Sequence, residues 1–288
     1  KYTFFHTTYT TDDGLSSRFI HDIYQDSRSF IWVATDYGIN KFDGNQFKTY
    51  DQVNVPLQSD NINFVKEDQQ GNLWLIDNDY QHFGSLCSWI EVSIDIFDPI
   101  TEKAISFDAY TNGKAPFSVD EITNIVQDDQ RQLWITTRNG MLYVYGENFT
   151  QFSIPSDLNK RADFYPLIQG EILAITDGAI VRIKNNEIER TSPFLREVKH
   201  VEQNKEGVIF LTSYGEGNAQ VHQLLSDGTL HPLNNGLGSE PPNEPTLLTR
   251  FGLGKNGTIW MGEQQSGKIT VIKDGKRIEN LVLDKFIL

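Results

Sequence analysis

The chain has 288 residues, of which 38% are hydrophobic and 12% aromatic, and its formal net charge is −14. This acidity makes a nucleic-acid backbone or an anionic lipid surface an unfavourable partner, because like charges repel. The single Cys87 can form no internal disulfide, no Cys/His spacing indicates zinc, and no apolar run reaches the ~20 residues that span a bilayer.

Short strands are predicted from the start of the chain. The segment "KYTFFHTT" indicates one outer strand, and "IHDIYQD", "IWVAT", "INKFD" and "QFKTY" indicate four more. Gly, Asn and Asp separate these segments, as is typical of tight turns. Because no segment keeps a helical period for long, the sequence predicts an all-β protein.

The stretch around Trp32 returns several times along the chain. Its copies align on six anchor residues: Trp32, Trp74, Trp134, Leu173, Phe210 and Trp260. The anchors are 42, 60, 39, 37 and 50 residues apart, and the two long steps contain the insertions "HFGSLCSWIEVSIDIFDPITEK" and "NNGLGSEPPNEP". Repeats of about 40–45 residues with four short strands are typical of β-propeller blades. We therefore expect the anchors to be buried between neighbouring blades.

The predicted fold is one β-propeller domain over residues 1–288, with about six visible four-stranded blades. The last segment, "LVLDKFIL", is either the edge of the sixth unit or the start of a seventh. Two architectures stay open: a closed six-bladed ring, or an incomplete seven-bladed ring.

The first repeat resembles a known family. The stretch "GLSSRFIHDIYQDSRSFIWVATDYGINKFDGNQFKTYDQ" is similar to the regulator-propeller repeat of bacterial two-component sensors, above all those of Bacteroides-type hybrid histidine kinases. The matching features include Leu15-Ser16-Ser17, the Ile31-Trp32 pair and Asp43-Gly44. The resemblance implies a periplasmic sensor propeller, the first of a longer sensor region, that detects oligosaccharides. It also implies further sensor domains and a homodimeric receptor as partners, while kinase activity would belong to other domains.

No catalytic, cofactor or metal motif is visible. The segment "GLGKNG" fits GxGxxG, but a strand-like "TIWMG" follows it, whereas a dinucleotide site requires a helix there. The six histidines are scattered and no GxSxG occurs. We therefore expect a chain that is not an enzyme. Two alternatives remain: a carbohydrate-active propeller, hydrolase or lyase, using two facing carboxylates, or a scaffold for partner proteins.

Candidate ligand contacts lie in the loops between the second and third strands of the blades, which open on one face. Aromatic, amide and charged side chains suit carbohydrate, although ordinary exposed turns contain them too. The candidates are Asp36, Tyr37, Asp77, Tyr80, Arg138, Asn139, Tyr214 and Glu216. The insertion "SLCSWIEV" and the terminal "LVLDKFIL" are either contact surfaces for another domain or subunit, or simply an extra strand and a chain end.

Overall fold

The computed structural model describes residues 7–83, 86–128, 130–152, 163–167, 171–175, 180–184, 187–191, 198–204, 206–215, 218–226, 228–232, 248–253, 258–263, 268–273 and 276–282. In this part of the chain, 24 strands form six antiparallel four-stranded sheets, which confirms the all-β prediction with four strands per blade. The residue contacts divide the chain into two compact units, Lys1–Ser153 and Ile154–Leu288, each with three sheets. The single domain over residues 1–288 stays a prediction.

The first unit contains sheets 1, 2 and 3. Sheet 1 consists of β1 (Ile20–Gln25), β2 (Ile31–Thr35), β3 (Gly38–Phe42) and β4 (Phe47–Tyr50). Sheet 2 consists of β5 (Phe64–Glu67), β6 (Leu73–Phe83), β7 (Leu86–Asp98) and β8 (Lys103–Ser106). Sheet 3 consists of β9 (Ile122–Gln127), β10 (Leu133–Thr137), β11 (Leu142–Tyr145) and β12 (Phe149–Phe152).

The second unit contains sheets 4, 5 and 6. Sheet 4 consists of β13 (Asp163–Pro166), β14 (Ile172–Ile175), β15 (Ile180–Lys184) and β16 (Glu187–Thr191). Sheet 5 consists of β17 (Val198–Gln203), β18 (Ile209–Gly215), β19 (Asn218–Leu224) and β20 (Leu230–Pro232). Sheet 6 consists of β21 (Leu248–Leu253), β22 (Ile259–Glu263), β23 (Lys268–Lys273) and β24 (Lys276–Val282).

Helical structure in the described residues is limited to single turns. These are the 3-10 helices Thr11–Asp13 and Val119–Glu121, and the four-residue helix α1 (Phe107–Tyr110). None of these helices has the length or the apolar composition needed to cross a membrane. Of the predicted outer strand "KYTFFHTT", only the last two residues are described, and they are not in a strand.

In every sheet the strands are arranged in chain order and neighbours are antiparallel. The turn between the second and third strands and the connection to the next sheet therefore lie at one end of the strands, which we call the central-turn end. The other two turns lie at the opposite end, the paired-turn end. In the first unit, residues 36–37 and 138–141 mark the central-turn end, and residues 26–30 and 146–148 mark the paired-turn end.

Apolar side chains of neighbouring sheets pack together in the first unit. Trp32 of sheet 1 lies against Phe97 of sheet 2, with ring centroids 5.6 Å apart. Trp74 of sheet 2 lies against Tyr145 of sheet 3 at 5.2 Å. Both tryptophans are fully buried. The two predicted anchors therefore do fill the spaces between blades, where a large aromatic ring removes much apolar area from water.

The remaining anchors follow the prediction with one exception. Trp134, Leu173 and Phe210 are buried, whereas Trp260 is only half-buried. The expectation that all six anchors are buried is therefore wrong for the last one.

An aspartate six residues before each tryptophan, buried in sheets 1 and 2 and half-buried in sheet 3, closes the first turn of sheets 1, 2 and 3. In sheet 1, Asp26 Oδ1 accepts hydrogen bonds from the backbone N–H groups of Arg28 and Phe30, both at 2.9 Å. Asp26 Oδ2 accepts the indole N–H of Trp32. The turn and the anchor are thus held by one carboxylate. The distances between indole nitrogen and carboxylate oxygen are 2.9 Å for Trp32–Asp26, 3.2 Å for Trp74–Asp68 and 2.9 Å for Trp134–Asp128.

Sheet 5 keeps this turn with different residues. Asn204 replaces the aspartate, and its Oδ1 accepts the backbone N–H of Val208 at 2.8 Å. Phe210 replaces the tryptophan and offers no N–H donor. A carboxylate that lost its indole donor would be costly to bury, so the neutral amide suits the phenylalanine.

The fourth residue of the turn has a positive φ in all four sheets. The φ angles are 71° at Ser29, 84° at Gly71, 61° at Arg131 and 83° at Gly207. Only glycine adopts this conformation without a steric cost. Sheets 1 and 3 therefore carry local strain that sheets 2 and 5 avoid.

Glu67, buried at the end of β5, links all three sheets of the first unit. Its carboxylate accepts the backbone N–H of Ser27 at 2.9 Å and the hydroxyl of Ser27 at 2.6 Å. Its Oε1 also lies 3.4 Å from the Arg131 guanidinium of sheet 3, and its carbonyl oxygen accepts the side-chain amide of Gln127. The first turns of the three sheets are therefore held together by polar contacts as well as by the aromatic anchors.

Replacing Trp134 by alanine should lower the free energy of unfolding by roughly 3–5 kcal/mol, because a large buried side chain is lost and Asp128 loses its indole partner. Denaturation by urea, followed by circular dichroism, measures this. Ile100→Ala, at a side chain that is 80% exposed, is the control and should leave the transition unchanged. Equal midpoints for W134A and the wild type would contradict the role of the anchor.

Replacing Ser29 by glycine should raise the free energy of unfolding by roughly 0.5–1 kcal/mol, because the left-handed backbone then carries no Cβ. The matched change, Gly71→Ser at the same position of sheet 2, should lower it by a similar amount. A Cβ at Gly71 would meet its nearest neighbour only at 3.8 Å, so its cost comes from the backbone alone. Shifts of the same sign in both variants would refute the shared turn geometry.

Candidate ligand-binding face

The predicted pair Asp36-Tyr37 forms the central turn of sheet 1. The Thr35 hydroxyl donates to the carbonyl oxygen of Gly38 at 2.8 Å and accepts the backbone N–H of Tyr37 at 3.1 Å. Gly38 has φ +89°, and a Cβ there would lie 2.3 Å from the carbonyl oxygen of Tyr50, so no other residue fits. This fixed turn leaves the Tyr37 ring 64% exposed, available for contact.

The connection to sheet 2 passes directly beside this turn. The N–H of Gly38 donates to the carbonyl of Asp60 at 2.6 Å, and the N–H of Ile62 donates to the carbonyl of Thr35 at 2.9 Å. Between these residues, the Asn61 amide donates to the Asp77 carboxylate at 2.9 Å. The central turn of sheet 1 is therefore bonded to the connection that carries Asn61, and Asn61 contacts the predicted candidate Asp77 of sheet 2.

Asp77 and Tyr80 do not lie in a loop, which corrects the prediction for sheet 2. Both belong to β6, which continues to Phe83 and pairs with β7 from Leu86 onward. The insertion that contains "SLCSWIEV" lengthens this hairpin: residues 86–92 are part of β7. Tyr80 pairs with Trp89 along the backbone, and both side chains lie outside the described part. A longer hairpin was not foreseen because Asp and Asn in "DNDY" are typical of turns.

Arg138 and Asn139 form the central turn of sheet 3, as predicted. The Asn139 Oδ1 accepts the Thr137 hydroxyl at 2.6 Å and the backbone N–H of Met141 at 3.3 Å, so it stabilises the turn itself. The Arg138 N–H donates to the carbonyl of Glu121 at 2.8 Å, and its side chain is exposed. Both residues therefore lie where the prediction put them, on the central turn of sheet 3.

The two candidates of the second unit are only partly described. Tyr214 lies in β18, where its backbone pairs with Ala219, and its side chain is outside the described part. Glu216 lies outside the described residues altogether, as does most of "LVLDKFIL". Their ligand contacts stay predictions.

A small cavity of about 260 Å³ opens at the central-turn end between sheets 2 and 3. It is lined by Gln58, by residues 92–94 of β7, and by the two ends of the connection at residues 106–108 and 118–120. The Gln58 side chain is held by the Asp95 carboxylate at 3.1 Å and by the backbone of sheet 2. Hydroxyl, amide and carboxylate groups are among those that line this cavity, which is a concave part of the central-turn end.

His21 is a residue of this face that the sequence did not reveal. It occupies a β-bulge in β1, between Ile20 and Asp22 and opposite the end of β2. Its Nε2 and the Oδ1 of Asp36 are buried without a hydrogen-bond partner in the described part. Buried polar atoms without partners are rare and often mark function, and bulges often lie beside functional sites. Neither feature has a signature in sequence.

The same bulge recurs in the first strand of other sheets. The extra residue is Thr123 in β9, Lys199 in β17 and Thr249 in β21. Each lies near the central-turn end of its sheet, so the repeat itself turns one side chain of every such strand away from the regular alternation. Among the described residues, no three His, Cys, Asp or Glu side chains come together as a metal site.

Comparison with known proteins places these features in context. The family model described as "Two component regulator propeller" matches residues 14–37. The histidine kinase P4 of Formosa agariphila is 49% identical over 43 residues, which are 15% of this chain and 3% of that protein. The segment that the family model matches ends on the Asp36-Tyr37 turn.

Solved structures resemble the whole chain at low identity. The extracellular domain of a hybrid two-component system of B. thetaiotaomicron, BT4673, has a TM-score of 0.62 at 16% identity, over 92% of this chain and 37% of that one. The virginiamycin B lyase of Staphylococcus aureus has a TM-score of 0.63 at 12% identity, over 92% and 85% of the two chains. At such identities the likeness establishes the fold and nothing finer.

The chain therefore spans only a small part of the kinase and little more than a third of the receptor domain that it resembles. The repeated four-stranded sheets and their Asp–Trp turns indicate the same fold as these likenesses. It is a β-propeller that carries a two-component regulator propeller repeat at residues 14–37.

Proposed function

We propose that this chain is an extracytoplasmic sensor propeller of a two-component histidine kinase system and that it detects oligosaccharides. The observation that carries the proposal is the regulator-propeller match over residues 14–37, which ends on the exposed Tyr37. Tyr37 belongs to the central-turn face, by which we mean the surface at the central-turn end of sheets 1 to 3. The kinase relative and the extracellular two-component domain support the same role. A periplasmic location and a homodimeric receptor are parts of this proposal.

The proposed ligand lies on the central-turn face of sheets 1 to 3. The exposed Tyr37 ring can lie against the apolar face of a sugar, and the Arg138 guanidinium can donate to its hydroxyls. The Asn61–Asp77 pair and the cavity beside Gln58 offer further donors and acceptors between them. A binding site of this kind needs contacts but no reacting group.

A carbohydrate-active enzyme, hydrolase or lyase, is the second candidate, because the virginiamycin B lyase is an enzyme on a similar fold. A retaining or inverting hydrolase requires two carboxylates about 5–10 Å apart across a cleft. The regulator-propeller match favours the sensor. Incubation with plant and host glycans, followed by a reducing-end assay, separates the two, since new reducing ends formed at enzymatic rates would favour the hydrolase.

Signal output is proposed to occur by rearrangement of whole domains. A packed propeller bends little, because close-packed interiors are not continuously deformable. A ligand that contacts this propeller and a second domain or subunit shifts their relative placement by its differential affinity for the two arrangements.

Tyr37→Ala and Arg138→Ala should each weaken oligosaccharide binding about tenfold or more, which corresponds to roughly 1.4 kcal/mol. Isothermal titration with a panel of plant and host oligosaccharides measures this. The matched controls are Ile100→Ala and Lys103→Ala, two exposed residues near the β7–β8 turn at the opposite end of the strands. Unchanged affinity in both face variants would rule out this face as the site.

The longer sensor region of the receptor should bind the same oligosaccharide more tightly than the 288-residue chain alone, because the second domain completes the contact. Calorimetry on both proteins provides the comparison. Equal affinities would mean that the site lies wholly within this chain, and the rearrangement mechanism would be wrong.

A further inference from the structure

A second, larger cavity lies at the other end of the strands from the candidate face. It has a volume of about 590 Å³. Its lining comes from the end of α1 and the connection after it, from the β11–β12 hairpin and from the first turn of sheet 2: Tyr110, Thr111, Asn112, Lys114, Pro116, Tyr145, Glu147, Asn148, Phe149 and Gln70. We call it the hairpin groove. Small-molecule sites typically measure 300–1,000 Å³, so its size is suitable. Neither the repeat nor the predicted loop positions account for it.

One wall of the hairpin groove is aromatic and rigidly held. The rings of Tyr145 and Phe149 are 4.7 Å apart, and those of Tyr110 and Tyr145 are 6.4 Å apart. The Tyr145 hydroxyl donates to the Tyr110 hydroxyl at 3.1 Å, and the Tyr110 hydroxyl donates to the Asp68 carboxylate at 3.2 Å. Burial raises the pKa of both tyrosines, so they stay neutral. Tyr145 is buried and supports the wall from behind, whereas Tyr110 and Phe149 are half-buried and present ring area to the groove.

Hydrogen bonds between sheets 2 and 3 also hold the hairpin groove in place without a ligand. The Gln70 side-chain amide, in the first turn of sheet 2, donates to the carbonyl of Gly146 in sheet 3 at 3.0 Å. The Gln69 amide donates to the carbonyl of Gln130 at 3.1 Å. A ligand would therefore meet a preformed cleft and would not bear the entropic cost of ordering it.

The rim of the hairpin groove carries polar side chains that the fold does not use. Asn112, Lys114, Glu147 and Asn148 are exposed, and their side chains make no hydrogen bond or ion pair with any residue in the described part. The two amides can both donate and accept hydrogen bonds. One positive and one negative charge leave the rim neutral overall.

We propose that the hairpin groove binds a neutral sugar, namely one or two units of an oligosaccharide. The apolar face of the sugar ring would lie on the aromatic wall, and its hydroxyls, which donate and accept, would pair with Asn112 and Asn148. A phosphate-bearing ligand would meet Glu147 and only one lysine, and a purely apolar ligand would leave both amides unpaired. The inference shares with the proposed function only the ligand class; the site and its residues are separate.

The test is isothermal titration of the full 288-residue chain with cellobiose, maltose, β-1,4-galactobiose and β-1,4-mannobiose. At least one disaccharide should bind, and Asn112→Ala and Asn148→Ala should each weaken that binding about tenfold. Asn45→Ala is the matched control, since Asn45 is an exposed asparagine in the third turn of sheet 1. Because all three side chains are exposed, the melting temperatures should stay the same.

Each result decides the inference. If no disaccharide binds, or if both asparagine variants bind as the wild type does, the hairpin groove is not a sugar site. Loss of binding in Tyr37→Ala and Arg138→Ala alone would overturn the groove and leave the proposed face intact; loss in the asparagine variants alone would do the reverse.

Discussion

One aspartate carboxylate, at Asp26, Asp68 and Asp128, organises the first turn of each of the first three sheets. The aspartate six residues before the tryptophan accepts two backbone N–H groups of its turn and the indole N–H of the anchor. An unpaired carboxylate in this position would be very costly, so turn, anchor and carboxylate must form together. Sheet 5 supports this dependence, because both partners are replaced there together: Asn204 takes the place of the aspartate and Phe210 that of the tryptophan.

The Asp–Trp hydrogen bonds constrain the paired-turn end of the strands and place no requirement on the residues at the central-turn end. The paired-turn ends are held by the Asp–Trp turns and by Glu67, which joins three sheets. The central turns of sheets 1 and 3 are held by hydrogen bonds of a single side chain, the Thr35 hydroxyl and the Asn139 amide oxygen. A rigid scaffold with variable turns at one end is a common basis for ligand recognition.

The two proposed ligand regions follow from this division in different ways. The central-turn face presents exposed side chains on turns that the scaffold positions, with Tyr37 as the largest. The hairpin groove arises because the connection after α1 passes beside the β11–β12 hairpin, and the Tyr110–Asp68 bond ties that connection to an anchor turn.

The sequence by itself determined the repeat, the strand content and most of the anchors, because aromatic residues at regular spacing and turn residues between them are local signals. It also located the turns at Asp36-Tyr37 and Arg138-Asn139. It did not reveal the long β6–β7 hairpin, because Asp and Asn in "DNDY" imitate a turn, nor the half-buried state of Trp260. The bulge at His21 depends on how β1 pairs with β2. The contacts of Glu67 and the Gln70–Gly146 bond of the hairpin groove join residues 40 to 76 positions apart in the chain. Only the packing of one sheet against the next decides such contacts, and no single segment carries a sign of them.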